Sequence, residues 1–118
     1  MAITLTTPSP GKFGWIVNGV SADASGCEIL VAAPGAGIQL IVDQLTINCG
    51  SSAITITIGQ GVSAGAVEVA LLGPISFAAN TSLQFIFSSG MWLLANKSLS
   101  VDTSGAGNIC VFAQGRTI

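Results

Sequence analysis

Charge is nearly missing from this chain. Of its 118 residues, three are Lys or Arg and five are Asp or Glu, and there is no histidine or tyrosine. A soluble domain is ordinarily about a quarter charged, and that charge keeps its surface dissolved and apart from its neighbours. Without histidine, the usual base for a serine or cysteine nucleophile is gone. The five acids stand singly along the chain, which gives no carboxylate pair of the kind that shares a proton in acid–base catalysis. Asp102-Thr103-Ser104-Gly105 departs by one residue from an aspartic-protease loop and has no second copy. Gly35-Ala36-Gly37 and Gly59-Gln60-Gly61 lack the spacing of dinucleotide or phosphate loops. The expectation is a protein that is not an enzyme and carries no cofactor and no metal.

Three scattered cations and a net charge of −2 offer no row of positive charge for phosphates, so no nucleic-acid partner is expected. No apolar run approaches the roughly 20 residues of a membrane helix, and no membrane partner is expected. Residues 1–8 lack the basic and apolar regions of a secretory leader, so synthesis in a cytoplasm is expected. Cys27, Cys49 and Cys110 contain no C-x-x-C pair. They read as small buried apolar residues, with one disulfide plus one free thiol as the alternative.

What is present is a period of two. Ile54-Thr55-Ile56-Thr57-Ile58 alternates cleanly, and Leu83, Phe85 and Phe87 share a face, as do Val67, Val69 and Leu71. Gly, Pro, Asn and Ser clusters cut the chain at near-regular intervals. Between them the pattern predicts strands at about 14–20, 27–33, 37–49, 53–59, 66–72, 74–78, 82–88, 91–101 and 107–115. Eight or nine short strands without a helix predict an all-β, jelly-roll-like antiparallel sandwich in a single domain. Residues 1–11 are expected to form an extended arm. In 37–49 the apolar set moves from even positions (Ile38, Leu40, Val42) to odd ones (Leu45, Ile47, Cys49), which predicts a bulge or bend at Asp43-Gln44.

Some segments are apolar on both faces. Trp92 and Leu94 oppose Met91, Leu93 and Ala95, Phe112 opposes Val111 and Ala113, and Ile16 opposes Trp15 and Val17. One face of a sandwich strand packs inward, so the other needs separate cover, and in so small a chain another subunit supplies it. Trp15, Met91, Trp92, Leu93 and Phe112 are accordingly candidates for core or subunit interface. The two tryptophans are also candidates for stacking on sugar rings.

Three stretches carry a resemblance: Pro34 to Ile47, Leu72-Gly73-Pro74-Ile75 onward to Asn80, and Gly90-Met91-Trp92 to Val101 with Thr103 to Ile109. Together, over roughly residues 30–114, they resemble the small jelly-roll virion proteins of tailed bacteriophages. These include capsid decoration (cement) proteins, head-fibre knobs and tail-tip modules. The resemblance implies a non-enzymatic homo-oligomer, most often a trimer, that binds the major capsid protein on the virion surface. The arm then becomes the place for a shell contact through Ile3, Leu5 and Pro8. A receptor- or glycan-binding knob and a small coat protein are the alternative roles.

Overall fold

A computed structural model describes residues 3–6, 14–21, 25–105 and 107–118. They form nine strands: β1 (Thr4–Thr6), β2 (Gly14–Ser21), β3 (Ser25–Val31), β4 (Leu40–Cys49), β5 (Ile54–Ser63), β6 (Ala66–Phe77), β7 (Ser82–Trp92), β8 (Leu99–Ser104) and β9 (Ile109–Thr117). One sheet has the order β1-β2-β9-β4-β7 and the other β3-β8-β5-β6. Every pairing is antiparallel. The chain changes sheet at each connection except β1–β2 and β5–β6. This is the jelly-roll arrangement of a sandwich.

The alternation in the sequence becomes the core. Val17, Leu40, Val42, Leu45, Ile47, Val111 and Ala113 from the larger sheet meet Leu30, Ile54, Ile56, Ile58, Leu99 and Val101 from the smaller one. Fully burying each such side chain stabilises the fold by about 1.5–3 kcal/mol before chain entropy is counted. The parity switch in β4 is a bulge: the register slips between Val42 and Gln44 against both β7 and β9. On β7 the opposing slip spans the segment between Ile86 and Met91, where Gly90 takes a positive φ of 81°.

Three predicted boundaries are corrected. The strands expected at 66–72 and 74–78 are one strand, β6, and Gly73-Pro74 lies inside it as a bulge opposite Thr57. Pro74 has no N–H to give, but β6 is an edge strand, where that loss is tolerated. The strand expected at 91–101 is divided: β7 ends at Trp92, β8 begins at Leu99 in the other sheet, and Asn96 turns the chain at a φ of 56°. The glycines at 59–61 do not end β5, which runs on to Ser63. Its hairpin turn is Ala64-Gly65, both with positive φ, the geometry that matches strand twist in a two-residue hairpin.

All three cysteines are free thiols, with Cys49 buried and Cys27 and Cys110 half-buried. Burial raises the Cys27 pKa above its ordinary value, and the negative charges of Asp102 and Glu28 add to the rise. Cys27 therefore stays a neutral thiol near neutral pH, where the thiolate is the nucleophile. A group held more protonated in the folded state contributes stability below its unfolded pKa, and loses it as pH rises through the folded one. Alkylation of the native protein with iodoacetamide at pH 8 is expected to modify Cys27 more slowly than a free peptide thiol. Denaturation without reductant is expected to release three alkylatable cysteines by mass spectrometry. Fewer than three would mean a disulfide.

Candidate interaction surface

Register decides which side chains leave the core. On the outer face of the five-stranded sheet, cross-strand rows run through β2, β9, β4 and β7. One row is Asn18, Phe112, Thr46 and Gln84, the next is Ile16, Gln114, Gln44 and Ile86, and the last is Gly14, Arg116, Ile41 and Trp92. The face is a mosaic of apolar and neutral polar groups. Ile86 is 74% exposed and Trp92 48%. Phe112 and Ile16 are half-buried. Arg116 is the charged member of these rows.

A second apolar area lies at the end of the sandwich where the β3–β4 and β7–β8 connections meet. Leu94 and Ile118 are 63% and 65% exposed there, and Ile38 is exposed beside them. Amide side chains hold this end together. Gln39 donates to the Leu93 carbonyl (2.9 Å), buried Gln60 accepts from the Leu94 N–H (3.0 Å), and Asn96 accepts from the Gly35 N–H (3.0 Å). Backbone bonds from Leu93 to Leu40 and from Asn96 to Ile38 complete the seam. Lys97 donates to both oxygens of Glu68 at 2.8 and 2.9 Å. Both groups are partly exposed, so the pair contributes at most about 1 kcal/mol.

The residues singled out from sequence separate into distinct environments. Leu93 is core, 1% exposed. Met91 and Trp15 are half-buried against the core, Met91 opposite Val42 and Trp15 opposite Gly115. Trp92 is not core: it lies on the outer face opposite Ile41 and donates its indole N–H to the Ser89 carbonyl at 3.0 Å. Phe112 also lies on the outer face, while its neighbours Val111 and Ala113 fill the core.

The expected arm is anchored where it is described. Thr4–Thr6 pairs with Val20–Asn18 as an edge strand. Ile3 packs against the core and reaches over Gly19, where an added Cβ would meet Ile3 Cδ1 at 2.8 Å and Leu30 Cδ2 at 2.9 Å. Leu5 is exposed, and Pro8 lies outside the described residues.

A feature invisible in the sequence sits at the β4 bulge. A shallow depression of about 240 Å³ is lined by Gly14, Trp15, Ile16, Asp43, Gln114 and Gly115. Beside it Arg116 Nη2 faces Asp43 Oδ1 at 3.6 Å. Trp15 donates its indole N–H to the Arg116 carbonyl at 3.2 Å. The parity switch was a signal for Asp43, but nothing local pointed to Arg116. Among the described residues, no group of three or more His, Cys, Asp or Glu could hold a metal ion, and no helix is long and apolar enough to cross a membrane.

Fold and surface together define a jelly-roll β-sandwich with sparse charge and large apolar side chains on its outside. No protein-family model, curated protein or solved structure matches the chain.

Proposed function

We propose that the protein is a structural component of a virion, a capsid decoration or cement protein of a tailed bacteriophage that works as a homo-oligomer, most simply a trimer. The observation that carries this reading is the outer face of the five-stranded sheet, where Ile86, Trp92, Phe112 and Ile16 share a surface whose cross-strand rows carry one charge, Arg116, with Asp43 facing it from the β4 bulge. Interface cores are depleted of charge and enriched in aromatic residues in this way. Ile38, Leu94 and Ile118 supply a second apolar area at one end, so one face can meet sister subunits while another meets the shell. The mechanism is mass action: a subunit that binds only the assembled shell stabilises that state. An oligomer bridging neighbouring capsomers adds several weak contacts into one strong attachment.

Native mass spectrometry at low micromolar concentration is expected to show an oligomer and little monomer. Particles lacking the protein are expected to break at a lower temperature and under milder osmotic shock than particles that carry it. A stable monomer, or bare particles as robust as decorated ones, would refute the proposal. Because Ile3 packs on the core, truncating the N-terminus would confound shell binding with stability. Leu5→Asp tests the shell contact instead.

A further inference from the structure

We propose that the depression at the β4 bulge is a binding site for a neutral saccharide. The site shares Ile16, and through Trp92 the outer face, with the contact surface of the assembly reading, so a saccharide and a covering partner compete for it. Its origin is local. The bulge at Asp43 displaces β4 from simple register with β9, and Gly14 and Gly115 add no side chains to fill the space. The resulting volume of about 240 Å³ is below the range of about 300–1,000 Å³ usual for drug-sized ligands, and suits one sugar ring.

The lining chemistry selects the ligand class. The Asp43 carboxylate repels an anion. A cation would meet one carboxylate that already faces Arg116. An apolar ligand would strip water from Asp43 and Gln114 without returning hydrogen bonds, which is costly. A ring bearing several hydroxyls meets all of these groups on good terms. Each hydroxyl can donate to Asp43 and accept from Arg116 or the Gln114 amide. The Asp43–Arg116 contact is loose at 3.6 Å, and both side chains are well exposed, so each keeps free bonding positions for the ligand.

Trp92 extends the site. Arg116 and Trp92 flank Ile41 in one cross-strand row. A Cβ added at Gly90 would overlap Ile41 Cγ2 and stand 3.4 Å from both Arg116 Nη2 and Trp92 Nε1, so the guanidinium and the indole lie close together beside Gly90, over Ile41. A saccharide leaving the depression across Arg116 reaches a half-exposed indole on which a second ring can stack.

The test is a glycan array on the intact protein, followed by NMR titration with the methyl glycosides and oligosaccharides of the array hits. The expected result is millimolar or tighter binding that shifts the Trp15 indole and Gln114 amide resonances. Asp43→Asn should weaken binding about tenfold, the loss expected for a charge-assisted hydrogen bond reduced to a neutral one, with an unchanged melting temperature. Trp92→Phe should weaken oligosaccharides more than monosaccharides. Gln84→Ala, on the same face but outside the depression, serves as the control. The proposal is overturned if no saccharide binds, if binding shifts other residues only, or if Asp43→Asn binds as the parent does.

Discussion

Leu93→Asp is expected to leave the protein unfolded, whereas Trp92→Asp is expected to fold and then fail to assemble. The two residues are adjacent and both apolar, yet Leu93 is 1% exposed and Trp92 is 48% exposed. An unpaired carboxylate at Leu93 would be enclosed by the core, at an effective cost of several kcal/mol after relaxation. A domain has only about 5–15 kcal/mol of net stability, so that cost decides its fate. At Trp92 the new charge stays in contact with water. Its folding cost is the partial uncovering of Ile41, about 1–2 kcal/mol. Its larger effect falls on any partner that would cover the outer face, because an interface core does not accept an unpaired charge. Urea melts followed by circular dichroism report the first effect and native mass spectrometry the second. Similar melting midpoints for the two variants would show that the inner and outer faces of this segment have been assigned wrongly.

Gly115→Ala is expected to destabilise the sandwich by about 3 kcal/mol, the upper end of what overpacking usually costs. Gly115 sits in β9 between Trp15 on β2 and Val42 on β4. A Cβ there would overlap the carbonyl oxygen of Ile41 and lie 2.5 Å from Cζ2 and 2.9 Å from Cε2 of Trp15. The indole is tied to the Arg116 carbonyl by its N–H, so it cannot move aside without losing that bond. The Ile41 oxygen is backbone next to the bulge and cannot rotate away. The strain therefore spreads into the central β9–β4 pairing. Scanning calorimetry should show a drop of roughly 10 °C or more. Gly105→Ala is the matched control, because an added Cβ there meets open space. Equal melting temperatures for the two variants would mean that the close packing of Trp15 over Gly115 does not exist.

The amino-acid sequence by itself determined much of what depends on near neighbours. Alternation of Ile with Thr in 54–58 made a strand with one wet face, because side chains on a strand alternate sides. The shift of apolar residues from even to odd positions located the bulge at Asp43, since a one-residue insertion reverses every face that follows. Scarce charge and two-sided apolar segments pointed to a surface built for contact. Gly73-Pro74 misled for a local reason too: the pair resembles a turn, and only the position of β6 at a sheet edge lets the strand run through it. The tertiary structure decided what depends on distant pairing. It chose Leu93, not Trp92, for the core, because the bulges of β4 and β7 set which face of the segment turns inward. It paired Thr4–Thr6 with β2 and packed Ile3 on the core, in a segment that the sequence alone suggested only as an extended arm. It also placed Arg116 beside Asp43, and Trp92 of β7 beyond it, next to a depression assembled from β2, β4 and β9. No periodicity encodes such a meeting, because it depends on strand order within the sheet.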